Sequence, residues 1–257
     1  MILTFDIGNT DTVLGIFHDD ELVADWRLST HPQRTVDEYG LLLRSILRES
    51  AVEPGDVTGA AVASVVPPLT RALARACRRH LGMAAFVLEP GSPDLPVRLD
   101  VEEPLTVGAD RIANTLAAAR LYARDTIVVD LGTATTFDCI TADGVFKGGV
   151  IAPGIRTGVE TLTRRTAKLP SVDIEPPPSV IGRRTDTALQ SGIFYGAIES
   201  IDGIVRRITD AWTPDPLVVA TGGLARFLEP HCAAIDRVEP FLTLHGLRLA
   251  WTERPVR

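Results

Sequence analysis

In the first half of the chain, short apolar runs alternate with polar turns, and helical periodicity appears between them. Strands are predicted over residues 2–7, 12–17, 21–28, 59–66 and 86–88. Helices are predicted over residues 35–50, where apolar side chains recur with a helical period, and 67–80, which opens on Pro67-Pro68. The turns Asn9-Thr10-Asp11 and His18-Asp19-Asp20 separate the first three strands and predict a meander of antiparallel strands.

The second half of the chain shows a similar pattern, which begins with a helix. The predicted helices span residues 109–123, 155–166 and 185–211, and the predicted strands span 126–130, 135–141, 145–151 and 217–220. A helix, a short strand and a further helix are predicted to end the chain. Two proline-rich segments, 90–107 and 169–178, are predicted to be irregular, and a long loop inside a compact domain is often functional.

Two similar polar turns follow corresponding apolar runs in the two halves. Asp6-Ile7-Gly8-Asn9-Thr10 is the first, and residues 130–136, with the sequence DLGTATT, are the second. Glycine lets the backbone turn sharply and lets a ligand oxygen approach the amides. Thr and Asn supply donors for phosphate, while Asp can bind a metal ion directly or through water. One such turn alone is more typical of an ordinary loop. Two copies half a chain apart predict duplicated lobes with a nucleotide phosphate tail between them.

Composition narrows the class of protein. The chain is 45% hydrophobic and 23% charged, which is typical of a globular protein with a sizeable core. Its formal net charge of −7 argues against nucleic acid or an anionic membrane surface as the main partner. Cys77, Cys139 and Cys232 lack CxxC spacing and are predicted to pack as small hydrophobic residues. No stretch is apolar for a membrane-spanning length and the start is typical of a strand, so a cytoplasmic location is predicted.

The common nucleotide-binding motifs do not occur in the sequence. It contains neither GxxxxGK[ST] nor a GxGxxG that follows a strand, which excludes P-loop, Rossmann and protein-kinase glycine-loop proteins. Residues 218–224 supply a different signal, an apolar strand that runs into Gly222-Gly223. A glycine pair permits close approach of a flat ligand such as an adenine ring or its ribose. The alternative is a plain strand-to-helix turn.

Together these segments resemble a known family, the type III pantothenate kinases of the actin/hexokinase/heat-shock-protein ATPase superfamily. The resemblance runs in order through essentially the whole chain. It rests on DIGNT (6–10), GADR (108–111), DLGTATT (130–136), GGVIAPG (148–154) and ATGG (220–223). It implies an α/β fold with duplicated actin-like (ribonuclease H-like) lobes, whose mixed sheets are flanked by helices. The N-terminal lobe would span 1–115, with a phosphate turn and the substrate loop. The C-terminal lobe would span 116–257, with the second phosphate turn and the adenosine-side Gly-Gly.

The resemblance also implies an activity and a set of site residues. The activity is ATP-dependent phosphorylation of pantothenate to 4′-phosphopantothenate, the first step of coenzyme A biosynthesis, by a homodimer. ATP would contact Asp6, Ile7, Gly8, Asn9, Thr10, Asp11, Thr12, Val13 and Thr133. Pantothenate would contact Gly108, Ala109, Asp110, Arg111 and, from elsewhere in the dimer, Thr185. Asp6 would face Mg²⁺, and Asp130 would bind a monovalent cation, K⁺ or NH₄⁺.

Elementary chemistry gives two of these residues a specific role. A carboxylate such as Asp110 can accept the proton that a primary alcohol loses as it attacks phosphorus. Arg111 offers a rigid fork for a substrate carboxylate or for developing phosphate charge. The alternative for this pair is a surface ion pair or an acid at a helix N-terminus, and the alternative for Thr185 is a helix N-cap.

Two other functions stay open at this level. Many members of the family carry a tyrosine three residues before the loop proline that precedes GxDR, and here Val101 occupies that position before Pro104. This departure allows a kinase for another small hydroxy acid or a sugar. The second alternative is a nucleotide-binding regulatory protein that keeps the fold without catalysis, because fold does not determine function.

Overall fold

A computed structural model describes residues 1–92, 97–166 and 169–254. Its strands are β1 (Ile2–Ile7), β2 (Asp11–His18), β3 (Glu21–Ser29), β4 (Gly59–Ser64), β5 (Ala85–Val87), β6 (Arg98–Leu99), β7 (Thr126–Leu131), β8 (Ala134–Ile140), β9 (Val145–Pro153), β10 (Leu217–Thr221) and β11 (Arg237–Val238). Its α-helices are α1 (Val36–Glu49), α2 (Pro67–Ala76), α3 (Ala109–Tyr122), α4 (Ile155–Arg165), α5 (Thr185–Ala211), α6 (Ala225–Leu228) and α7 (Leu242–Glu253).

Each strand and helix predicted from periodicity is present, most with ends shifted by one or two residues. Helix α5 has the predicted bounds, and 169–178 is irregular in its described residues. The predicted loop 90–107 contains the short strand β6 and a 3₁₀ turn at Pro104–Thr106, while its residues 93–96 lie outside the described ranges. Strand β6 was missed because two residues are too few to show a period.

The chain divides into two compact units. The first contains Met1–Leu121, Gly144–Phe146 and the segment that begins at Leu242, and the second contains Tyr122–Asp143 and Lys147–Phe241. The sequence predicted one division, between residues 115 and 116. In the structure α3 belongs almost entirely to the first unit, and the chain returns to that unit twice more.

In the first unit, a five-stranded sheet has the order β3-β2-β1-β4-β5. Strands β1, β2 and β3 form the predicted antiparallel meander, while β4 is parallel to β1 and to β5. Strands β1 and β4 are almost fully buried, as expected for central parallel strands with both faces covered. Helices α1 and α2 pack against each other, and Leu43, Leu47, Leu69 and Leu73 belong to the core they share with the sheet.

Local sequence signals explain where these helices start. Thr35 accepts a hydrogen bond from the N–H of Glu38, whose carboxylate accepts one from the N–H of Thr35 at 2.6 Å, which forms a capping box before α1. These hydrogen bonds lower the pKa of Glu38. Helix α2 opens on Pro67-Pro68, since proline fits the first turn of a helix.

The second unit repeats the strand order of the first. The second sheet has six strands in the order β11-β10-β7-β8-β9-β6, and its strands β9-β8-β7-β10-β11 repeat the order β3-β2-β1-β4-β5 of the first sheet. In both sheets the central strand is antiparallel to the strand that follows it in the chain and parallel to its other neighbour. Strands β1 and β7 have the same burial pattern, in which every residue is buried except Asp6 or Asp130 near the strand end. The predicted duplication into two mixed sheets flanked by helices is therefore confirmed.

The last helix explains why the first unit includes the end of the described chain. Helix α7 packs on β1 and β4. A Cβ on Gly246 would overlap the backbone of Ala113 in α3. The main chains of α7 and α3 therefore pack directly against each other at this position. Beside this contact, the buried hydroxyl of Thr243 donates to Asn114 Oδ1 at 2.8 Å. These contacts join residues far apart in sequence, and no local signal predicts them.

The cysteines behave as predicted. Cys77, Cys139 and Cys232 are free thiols and all three are buried. Burial raises the pKa of Cys77, and that of Cys232, to about 12. Within the part of the chain that the structure describes, no helix has the length and apolar character needed to cross a bilayer.

We expect Gly246→Ala to destabilise the first unit, because the new methyl group has no space beside the backbone of Ala113. The free energy of unfolding should fall by about 2 kcal/mol, as for an overpacked core. Urea denaturation followed by circular dichroism measures this change. The control is Gly55→Ala, where the methyl group meets nothing within 4 Å. Equal stability of the two variants would contradict the close approach of α3 and α7.

Candidate active site

The first polar turn connects β1 to β2 and is held from two sides. Its Gly8 N–H donates to Asp11 O at 2.9 Å, which closes the turn. Thr30, directly after β3, donates its hydroxyl to Gly8 O and its N–H to Thr10 O, each at 2.8 Å. The turn therefore has a defined shape before any ligand binds.

The predicted phosphate-binding residues differ in accessibility around this turn. Asn9 and Thr10 are exposed at its tip, and Asp6 is half-buried at the strand end, where it is paired with Val13. Ile7 is fully buried, so it can offer a ligand only its main chain. Thr12 is also buried, and its hydroxyl lies 3.0 Å from that of Thr30. Ile7 and Thr12 therefore form the buried base of the turn.

Two neighbours of the turn were not predicted. Thr30 braces it, and Arg27 on β3 forms a 3.0 Å ion pair with Asp11. Both could have been found from the meander, because a three-stranded register places the end of β3 beside the start of β2. Short motifs indicate only residues that are contiguous in sequence.

The GADR segment forms the start of α3. Asp110 Oδ1 accepts the N–H of Arg111 at 2.8 Å, and Gly108 O accepts the N–H of Ile112 in the first helical turn. A Cβ on Gly108 would overlap Asp110 Oδ1, so the carboxylate lies over the space that the glycine leaves. Ala109 is buried and anchors the helix start. The carboxylate of Asp110 is thus held half-buried at a helix N-terminus, where the helix dipole stabilises negative charge.

Arg111 has an aromatic neighbour. Its guanidinium carbon lies over the ring of Phe146, 5.0 Å from the ring centroid. This distance is within the range of cation–π attraction. No motif signalled this contact, because Phe146 stands in a separate part of the chain.

The second polar turn connects β7 to β8 in the second unit. Gly132 N–H donates to Ala134 O at 3.1 Å, two residues on, whereas Gly8 of the first turn donates to Asp11 O, three residues on. Thr133 is exposed at the tip, and its carbonyl accepts the hydroxyl of Thr157 in α4 at 2.8 Å. A Cβ on Gly154 would overlap that same carbonyl. The end of GGVIAPG therefore packs directly against the DLGT turn.

The ATGG segment reaches the same place from the other side. Gly222 has φ of +87°, and a Cβ there would lie 2.6 Å from Asp130 Oδ1 and 2.8 Å from the backbone of Leu131. Only glycine adopts this positive φ without strain and has no Cβ that would clash at this close approach. Strands β10 and β7 pair Thr221 with Asp130, which brings the two segments into register. Three motifs separated in sequence thus meet at the DLGT segment, with Gly154 against Thr133 and Gly222 against the half-buried Asp130.

Thr185 begins the long helix α5 of the second unit. It is exposed as the first residue of α5, and the N-cap position is Arg184. Arg184 forms an ion pair with Asp186 at 2.7 Å. The alternative role for Thr185, a helix N-cap, is therefore wrong. Its exposure leaves the hydroxyl accessible to a ligand.

A groove of about 440 Å³ lies between α4 and α5, with Thr135 and Gly154 at one end. Its apolar side chains include Leu162 and Ile193. The α5 side of the groove combines exposed small residues that recur every four positions with four further apolar residues. The small residues are Ala188, Gly192, Gly196 and Ser200, and the others are Leu189, Ile193, Ala197 and Ile201. This face of α5 is open, whereas its opposite face carries core residues such as Phe194 and Ile198.

The donors present suit a metal that shares its coordination with phosphate and water. Among the described residues, no group of three or more His, Cys, Asp or Glu side chains could hold a metal ion. Mg²⁺ in phosphoryl-transfer sites is usually bound by one or two carboxylates plus phosphate oxygens and waters. Asp6, beside the exposed tip of a glycine turn, fits this requirement.

Comparison with solved structures identifies the class of fold. The chain is similar to a putative Baf family transcriptional activator from Campylobacter jejuni, with a TM-score of 0.58, 21% identity and 98% of each chain covered. It is also similar to a putative 2-dehydro-3-deoxygalactonokinase from Sinorhizobium meliloti, with a TM-score of 0.55, 12% identity and coverage of 98% of this chain and 96% of the other. At these identities the likeness shows the fold alone. The fold is that of the actin-like ATPases and sugar kinases, as predicted.

Comparison of sequences identifies the family. The model of the type III pantothenate kinase family matches residues 2–207. The chain is 47% identical to type III pantothenate kinase 1 of Symbiobacterium thermophilum, over 98% of this chain and 96% of that protein. It is 45% identical to the type III pantothenate kinase of Moorella thermoacetica, over 98% of each chain. The chain belongs to the type III pantothenate kinase family.

We expect Gly154→Ala to distort the second turn, because the methyl group would displace the backbone of Thr133 instead of a flexible side chain. The melting temperature should fall by several degrees, which corresponds to about 1–3 kcal/mol of overpacking. Differential scanning calorimetry measures it. The matched control is Gly158→Ala, one turn later in α4, where a methyl group meets nothing within 4 Å. An unchanged melting temperature for Gly154→Ala would show that the turn adapts freely.

Proposed function

We propose that this protein transfers the γ-phosphoryl group of ATP to the 4′-hydroxyl of pantothenate, which makes 4′-phosphopantothenate for coenzyme A biosynthesis. Family membership over essentially the whole chain supports the proposal. The observation that carries it is the start of α3, where Asp110 and Arg111 stand side by side. A carboxylate is suited to accept a proton, and a guanidinium is suited to bind a carboxylate. Pantothenate needs both, since it contains a primary alcohol and a carboxylate.

The proposed reaction is a direct displacement at phosphorus. The substrate hydroxyl oxygen bonds to the γ-phosphorus as the bond from that phosphorus to the β–γ bridging oxygen breaks, and ADP leaves. The hydroxyl proton passes to the carboxylate of Asp110. Such transfers need little covalent chemistry from the protein and depend on positioning and charge stabilisation. A half-buried carboxylate fixed by Gly108 and by the N–H of Arg111 is suited to that positioning.

We assign the ATP phosphates to the two glycine turns, residues 6–13 and Thr133. The exposed tips at Asn9, Thr10 and Thr133 supply side-chain and main-chain donors. Asp6 would hold Mg²⁺, which when bound neutralises phosphate charge. The rigid bracing by Thr30 supports this role, because a preorganised turn loses less entropy when a ligand binds.

We assign the pantothenate carboxylate to Arg111, with Gly108 and Ala109 beside it and Thr185 as a further contact. We assign a monovalent cation, K⁺ or NH₄⁺, to Asp130. The support for the cation is that Asp130 is half-buried and that the main chain of Gly222 lies close to its carboxylate. The cation, like the cytoplasmic location, stays a prediction.

We further propose that the active form is a homodimer that buries the groove between α4 and α5. The support is the open face of α5, where four small residues replace the core-facing side chains found on its other face. Small residues let a second helix approach closely. The exposed fraction of Leu162 is 43%, so the groove also presents apolar surface to solvent.

We expect Asp110→Asn to reduce kcat by roughly 10²- to 10⁴-fold, because the amide cannot accept the proton. Gly108→Ala should reduce kcat by about 10-fold or more, since the methyl group pushes the Asp110 carboxylate aside. A coupled assay of ADP release with pantothenate and Mg²⁺-ATP measures both. The control is Asp186→Asn, a carboxylate at another helix start that pairs with Arg184.

Two outcomes would contradict the assignment of function. Full activity in Asp110→Asn would remove Asp110 as the general base. Wild-type protein that binds ATP and shows no pantothenate-dependent turnover would exclude pantothenate as the acceptor. A panel of small hydroxy acids and sugars then tests the other kinase activity that Val101 allows.

We expect Gly196→Arg to convert the homodimer to a monomer. The position is exposed and a Cβ there meets nothing within 4 Å, so the folded unit accommodates the arginine side chain. A partner helix packed on this face would clash with that side chain. Size-exclusion chromatography with light scattering measures the mass. Gly55→Arg, another exposed glycine with open space, is the control. A dimer that persists in Gly196→Arg would place the interface elsewhere.

A further inference from the structure

Phe146 occupies an unusual place in the chain. It is the second residue of β9 and is only 1% exposed. The short segment Gly144–Phe146 belongs to the first unit, although the residues on both sides of it belong to the second. The chain thus contributes three residues from a distant region to the unit that contains α3.

The main chain of Phe146 is fixed by β6. Strand β6 pairs Leu99 with Phe146, and the N–H of Asp100 donates to Phe146 O at 2.9 Å. Burial of the ring and pairing of its backbone leave the side chain little freedom. The ring is therefore a rigid surface.

Arg111 lies against this surface. Its guanidinium carbon is 5.0 Å from the ring centroid, and Arg111 starts from the rigid first turn of α3. A ring face attracts the cation without using any of its five N–H donors. The contact with the ring therefore restricts the rotamers of Arg111 without itself occupying a hydrogen-bond donor of the guanidinium.

We propose that Phe146 is a positioning residue for carboxylate recognition: it holds the Arg111 guanidinium in the orientation that binds the carboxylate of the substrate. The inference rests on the proposed function of Arg111. Orientation before binding lowers the entropy cost when the carboxylate binds. Phe146 should therefore affect the affinity for the acidic substrate and leave the affinity for ATP and the phosphoryl-transfer step unchanged.

A buried phenylalanine is also a core residue, so loss of stability alone would not test the proposal. The distinguishing property is selectivity. A merely structural role lowers the apparent kcat through the folded fraction, or weakens the affinity for both substrates and for uncharged analogues alike, whereas the positioning role affects only the substrate that carries a carboxylate. An analogue of pantothenate whose carboxylate is replaced by a hydroxymethyl group does not need the guanidinium, and its affinity should not depend on Phe146.

The experiment measures KM for pantothenate, KM for ATP, kcat and melting temperature in wild type, Phe146→Leu and Phe146→Tyr. Phe146→Leu keeps an apolar side chain and removes the ring, and we expect KM for pantothenate to rise by about 3- to 10-fold, the size of a partly desolvated cation–π contact. KM for ATP and kcat should stay within about twofold. Phe146→Tyr keeps the ring and should restore KM for pantothenate. Inhibition by the uncharged analogue should be equal in all three proteins.

Phe137→Leu is the matched control, since Phe137 is a fully buried phenylalanine of β8 in the second unit. It should lower the melting temperature without changing KM for pantothenate. If Phe146→Leu does not fold, Phe146→Met takes its place, because methionine fills irregular core space.

The possible failures are distinguishable. Active wild-type protein combined with an unchanged KM for pantothenate in Phe146→Leu overturns the inference alone. An equal loss of affinity for pantothenate and for the uncharged analogue also overturns it, because the effect is then general packing. Wild-type protein without pantothenate-dependent turnover overturns the proposed function, and the inference with it.

Discussion

The site in the second unit depends on main chains that approach more closely than any side chain would permit. Gly154 and Gly222 bring two separate segments against the turn that follows β7, one at Thr133 and one at Asp130. A methyl group at either position would meet backbone or a carboxylate. The absence of two Cβ atoms therefore allows three motifs to share one small region, and the exposed tip at Thr133 is held rigidly as a result.

The first unit uses the same strand order for a similar turn but supports it differently. Here Thr30 donates two hydrogen bonds to the turn, and Arg27 pairs with Asp11 beside it. Duplication explains the shared pattern of buried strands with one half-buried aspartate, and the different supports explain why the two turns can have different tasks. The proposed assignment of Mg²⁺ to Asp6 and of a monovalent cation to Asp130 accords with one such difference, because a glycine main chain, that of Gly222, lies close to Asp130.

The start of α3 shows how few residues suffice for the chemistry. Gly108 leaves the space that the Asp110 carboxylate occupies, the helix dipole stabilises the charge there, and the neighbouring guanidinium of Arg111 rests on a buried ring. The proposed proton acceptor, Asp110, and the proposed carboxylate ligand, Arg111, are adjacent in sequence and on one helical turn. The helix sets their separation. Gly108 leaves the space that orients the Asp110 carboxylate, and Phe146, from a distant part of the chain, orients the Arg111 guanidinium.

Local sequence determined the strands, the helices, the two polar turns and the GADR helix start, because hydrophobic period and turn chemistry act over a few residues. It also determined the family, through motifs that keep their order along the chain. Only the tertiary structure decided that α7 belongs with α3, that Thr30 braces the first turn, that Gly222 lies against Asp130 and that Phe146 lies under Arg111. The physical reason is that each of these contacts joins segments whose own sequences carry no mark of the partner, so packing alone brings them together.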